Sequence, residues 1–239
     1  MQDAINQEDQ DFNNFMDLQN TKVKKNVEIV TPETLNQSFF LHIDNKIINN
    51  FIPMLSRRAA LTEDNTVPRI TVSDSLFGCI MGHSGTEHNF HKDPEQGFYI
   101  NKIDFNYALK PNNKLVYDAL ETNEHWLITY NKRTIKYKAE VIGKMFIQDI
   151  LYVRNGNKKS ITDSITTFMI EISEDIDIVF KPGYRMKKGF YKLKLNITNW
   201  EDFELKKIQA KEYYDSKSLN AAILNQQDII PNTPLFTRW

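Results

Sequence analysis

All eight glycines of this 239-residue chain lie between Gly78 and Gly189. Glycine supplies positive φ in tight turns and bulges without a steric penalty. Its confinement marks where the turn-rich structure sits, and it predicts a central β region between arms of a different character. Strand signals fill that region. Thr66–Val72 is β-branched, and Phe98–Leu109 alternates, with Tyr99, Ile103, Phe105 and Tyr107 mostly on one parity. Leu115–Tyr117 reads as the start of a strand, as does Trp126–Tyr130, and Thr134–Val153 reads as two strands broken near Gly143. The Asn-Gly step in RNGNKK, residues 154–159, is a hairpin signal that leads into Ile161–Ser173. Ile176–Lys181 precedes the turn KPGYRMKKG. In Phe190–Thr198, Tyr191, Leu193, Leu195 and Ile197 share one face and Lys192 and Lys194 the other. So many short strands, with no βαβ rhythm, predict an antiparallel arrangement.

The flanks read differently. Thr31-Pro32-Glu33 resembles a helix start, with a capping threonine and proline in the first turn. Phe39, Phe40, Ile43, Ile47, Ile48, Phe51 and Ile52 recur at helical spacing, and Pro53 ends the run. After Trp200, EDFELKKIQAKEYYDSKSLNAAILNQ also reads as helical. The expected fold is mainly β: an antiparallel β-sandwich or barrel with N-terminal helices, a C-terminal helical segment and extended terminal arms. Its expected divisions are an N-terminal docking arm (1–30), a helical segment (31–62), a central β domain (63–199), a second helical segment (200–225) and a C-terminal docking tail (226–239).

Composition narrows the function classes. A net charge of −1 gives no overall basic field to attract nucleic acid or anionic membrane. No apolar run approaches the roughly 18–20 residues that span a bilayer. The acidic start MQDAINQEDQDF is unlike the basic, then apolar, start of a signal peptide. The one cysteine, Cys79, sits among Phe77, Ile80 and Met81 and reads as a buried thiol. Together these point to an intracellular product.

The densest chemistry is GHSGTEHNFH, residues 82–91. His83, His88 and His91, with Glu87, Asp93 or Glu95 nearby, are the candidate ligands of a zinc-type site, which needs about three or four N, S or O donors. Their spacing matches neither HExxH nor a zinc finger, and the glycines predict a loop that joins strands. The favoured expectation is a polar contact loop; the alternative is a metal-dependent hydrolase or metal-binding enzyme centred on it. Glu124-His125-Trp126 is a second acid–histidine pair, without a nucleophile nearby in sequence. GHSGT is not a nucleophile elbow, and no phosphate-binding glycine motif occurs. No cofactor is expected. The basic pairs Arg57/Arg58, Lys158/Lys159 and Lys187/Lys188 read as solvated turns, or as one rim for non-specific phosphate contact.

The two ends carry the partner-binding expectation. Phe12, Phe15, Met16 and Leu18 form a small amphipathic turn within an acidic arm. The tail DIIPNTPLFTRW holds Ile229, Ile230, Leu235, Phe236 and Trp239 between two X-Pro bonds. Unstructured segments are depleted in such groups, so either both ends pack on their own domain or they dock on neighbours.

This layout, a β-rich centre with extended, apolar-pegged arms, resembles the connector, ring and tail-adaptor proteins of tailed phages. The resemblance covers the general layout, and no residue is carried over from it. It implies a non-enzymatic virion subunit made in the host cytoplasm, oligomeric as a ring, that binds copies of itself and other virion proteins. It implies nucleic acid only as non-specific DNA passage, and no membrane.

Overall fold

The computed structural model describes residues 21–55, 63–84, 97–129, 135–154, 161–196 and 199–227. The protein is mainly antiparallel β. In chain order its elements begin with helix α1 (Thr21–Lys24), strand β1 (Val27–Val30), helix α2 (Pro32–Leu35), and strands β2 (Phe39–Asp44), β3 (Asn50–Phe51) and β4 (Arg69–Ser73). Helix α3 (Leu76–Ser84) follows, then β5 (Phe98–Asp104), β6 (Ala108–Pro111), β7 (Glu124–Ile128), β8 (Tyr137–Arg154) and β9 (Ile161–Ile172). The chain continues through β10 (Ile178–Lys181), β11 (Tyr184–Met186), β12 (Gly189–Asn196), β13 (Phe203–Ile208) and helix α4 (Ala210–Gln227). It divides into two compact units, one of Met1–Gly85, Ile100–Ile142 and Asp177–Met186, the other of Thr86–Tyr99, Gly143–Ile176 and Lys187–Trp239.

In the first unit the strands run β1-β6-β7-β4-β2-β5. Strand β7 lies between β4 and β6, and all five of its residues are buried. Leu127 joins a core with Phe40, Ile70, Val72, Ile103 and Phe105. Trp126 and Ile128, on the opposite face, join Val23, Val67, Leu109, Leu115 and Val116. The cap at Thr31 is as the sequence predicts: its hydroxyl accepts from the Thr34 N–H, and Pro32 occupies the first turn.

The helix expected to run on from there through residue 52 does not form. Residues 39–44 are strand β2, in which Phe40, Leu41 and Ile43 are fully buried. Strands buried on both faces lose their alternation, and their apolar spacing then imitates a helix. Leu115–Tyr117, expected as a strand, is a turn that buries Leu115.

In the second unit the strands run β8-β9-β12-β13, all antiparallel. The Asn-Gly hairpin signal is borne out, since Arg154 pairs with Ile161 across it. Strand β8 is not broken near Gly143. A Cβ there would sit 2.2 Å from the Glu171 carbonyl oxygen, so glycine permits a close strand approach instead of a turn. The ladder shifts register later, between Ile147 and Asp149. Strand β12 alternates as predicted, with Tyr191, Leu193 and Leu195 buried and Lys194 exposed. The segment after Trp200 is not helical throughout: its first part is strand β13, and the helix begins at Ala210. Helix α4 packs Tyr213 against Phe146, Met169, Phe190 and Ile208.

Candidate functional site

Most of the expected reactive side chains among the described residues have structural partners. His83 lies in the last turn of α3 and not in a loop joining strands. Its ring stands edge-on to that of His42, 6.5 Å between centroids, near Asp44. The His42 Nδ1–H donates to the Thr71 carbonyl at 2.8 Å, and its Nε2 lies 3.9 Å from the Asp44 carboxylate. His88 and His91 lie outside the described residues, as do Phe12, Phe15, Met16 and Leu18 at one end and Ile229, Ile230, Leu235, Phe236 and Trp239 at the other. Among the described residues no group of three or more His, Cys, Asp or Glu side chains is close enough to hold a metal ion.

The serines near α3 serve its N-terminus. Ser75 accepts the Gly78 N–H at 3.2 Å, and Ser73 donates to the Thr122 carbonyl at 3.0 Å. Gly78 belongs to the same arrangement, because a Cβ there would fall 2.1 Å from the Thr122 oxygen. The Cys79 thiol is buried, donates to the Leu41 carbonyl at 3.1 Å, and is pushed up by desolvation, so it stays protonated.

Glu124-His125-Trp126 is where sequence expectation and structure meet most closely. The alternation of β7 puts Glu124 and Trp126 on one face, and the indole N–H donates to the Glu124 carboxyl at 2.6 Å. Across the ladder on β4, the Arg69 guanidinium lies 4.3 Å over the Trp126 ring. It donates to the Asp64 carbonyl at 2.7 Å and pairs with Glu63. Burial raises Glu124 to about 7, against the opposing field of Arg69. His125 faces the other way, its ring 4.7 Å from that of Phe40, with Nδ1–H donating to the Asn123 carbonyl at 2.9 Å. Burial lowers it to about 4, which keeps it neutral, and its Nε2 is buried without a hydrogen-bond partner. The acid and the histidine therefore point to opposite faces of one strand and do not form a catalytic pair.

A different arrangement lies in the second unit, on the face of β12 and β13 that carries α4. A groove of about 390 Å³ is lined by Lys192, Lys194, Lys206, Lys207, Glu204 and Glu212. Lys192 stands directly opposite Lys206 across the ladder, and Lys194 opposite Glu204. Glu204 reaches Lys206 at 2.5 Å and Lys194 at 4.0 Å, while Glu212 reaches Lys192 at 3.7 Å. The hydrogen bond from Lys206 holds the Glu204 carboxyl below its ordinary range. The lysine row of β12 was legible from its alternation. Lys206 and Lys207 were hidden because β13 carries a helical composition, and only its pairing with β12 makes it a strand.

No protein-family model, curated protein or solved structure matches the chain.

Proposed function

We propose that this chain is a non-enzymatic assembly subunit of a phage virion, a ring or adaptor protein of the head–tail region that binds copies of itself and neighbouring proteins through its terminal arms. The observation that carries this reading is the use made of the reactive side chains in the first unit. His125, Cys79, Ser73 and Ser75 are all buried and engaged in packing, capping or backbone hydrogen bonds. The ends of the two strand ladders favour arms over sheet-to-sheet joining. Strand β1 is four residues long and carries Glu28, and β13 carries Lys206 and Lys207. Short or charged edge strands resist pairing with another chain. Among the described residues no helix is long and apolar enough to cross a membrane.

The native mass of the full chain, measured by light scattering, tests the reading: a ring or larger particle is expected. Deletion of 229–239 is expected to leave a folded protein that no longer assembles. A truncated protein with the original mass sinks the docking-arm idea. Stoichiometric zinc or iron in the purified chain, lost on replacing His83, His88 and His91 together, would favour a metal-dependent enzyme instead.

A further inference from the structure

We propose that the lysine groove of the second unit is a contact surface for the phosphate backbone of nucleic acid. Three ammonium groups (Lys192, Lys194, Lys206) face it against two carboxylates (Glu204, Glu212), a surplus of one positive charge, while Lys207 turns its ammonium to the Tyr191 ring on the other face. The fold does not require this pattern. Like charges directly opposite on paired strands are unfavourable, yet Lys192 and Lys206 stand so. Their ion pairs are half-open to solvent, with Lys194 and Lys206 52% and 66% exposed, so an incoming anion exchanges with Glu204 and Glu212 at little cost. Glu212, in the first turn of α4, already answers the positive end of that helix, so the lysines carry the site.

The chemistry of the lining selects the partner. Residues two apart on one strand face lie about 7 Å apart, so Lys192 and Lys194 present charges at a step close to that between successive phosphates. Lysine meets phosphate as a compact point charge, and the cations of the lining are all lysines. Ile208 is its one apolar member, too little to insert into a lipid surface. The contact is to backbone and carries no base readout. This inference deepens the assembly reading, in which DNA passes the particle, and rests on it for the source of the nucleic acid.

The test uses the full chain and a fluorescein-labelled duplex of random sequence, read by anisotropy between about 50 and 200 mM salt. Two or three phosphate contacts are expected to give a log–log salt slope of about −2 to −3. The K192Q/K194Q/K206Q variant, shown folded by an unchanged melting temperature and circular dichroism, is expected to lose at least about tenfold in affinity at low salt, with most of the slope. E204Q, which frees Lys194 and Lys206, is expected to bind several-fold more tightly. Wild-type affinity in the folded triple variant overturns the proposal, as does a salt-independent wild type. Tighter capture by phosphatidylserine vesicles or polyglutamate than by the duplex overturns the choice of partner. A wild-type chain that keeps its native mass but does not bind the duplex strikes only the groove; a wild-type chain that binds the duplex as a monomer strikes only the assembly reading.

Discussion

Strand β7 takes its ionisable groups out of water, whereas β12 keeps its own in it. On β7 the cost of burial dominates: Glu124 is raised and His125 lowered, each toward its neutral form. On β12 and β13 the lysines and glutamates keep contact with water and settle into exchangeable pairs. The same residue types therefore act as packing in one unit and as a surface field in the other. Burial, more than identity, decides which titrations matter to stability and which interactions respond to salt.

The largest expected effect comes from breaking the buried side of that contrast. Arg69→Ala removes a guanidinium whose side chain is 1% exposed, and with it the partner of Glu63 and the cation over Trp126. Urea denaturation is expected to show a loss of about 3–5 kcal/mol, as for other buried pairs stripped of one partner. A loss below about 1 kcal/mol would mean that the guanidinium is not held as described.

A finer effect separates the two neighbours on β7. Glu124, raised from 4.5 to about 7, contributes stability that is fully present below pH 4.5 and lost as pH rises through 7. His125, lowered from 6.5 to about 4, contributes stability present above 6.5 and lost as pH falls through 4. Between pH 4.5 and 6.5 the two slopes, each about 1.4 kcal/mol per pH unit, oppose and cancel. Glu124→Gln is expected to unmask stability that rises with pH across that window, and His125→Asn stability that falls. Identical pH profiles for the two variants would refute the opposition.

The smallest effect lies on the open side. Lys211→Ala breaks an exposed pair with Asp215 at 2.7 Å on α4, and urea denaturation is expected to show little change, shrinking further in salt. A larger, salt-independent loss would show that the exposed pairs do more than the contrast allows.

How far the sequence could be read follows the same division between buried and open. Strand β12 was legible because one face is wet, so Lys192 and Lys194 mark the period of two against Leu193 and Leu195. Strand β2 was not, because the buried Phe40 joins Leu41 and Ile43 in an apolar run, and His42 and Asp44 mark the alternation over its last four residues alone. Gly82 and His83 were expected in a loop, but packing of α3 against β2 and β10 carries the helix through them. The Glu124–His125 pair was visible as chemistry in one dimension. The facts that disarm it, opposite faces and two-sided burial, come from the placement of β7 between β4 and β6. The apolar docking residues named at both ends lie outside the described residues, and native-mass measurement is the route to them, whereas residues 27–30 of the expected N-terminal arm form β1 of the sheet.

Trp126 also makes the first unit optically self-reporting. A fully buried indole whose N–H rests on a titrating carboxyl emits at short wavelength, and its intensity and band position follow the charge beside it. With three tryptophans in the chain, replacing Trp200 and Trp239 by phenylalanine isolates that signal. The protonation of Glu124 then reads out as fluorescence in the native protein, with no label attached.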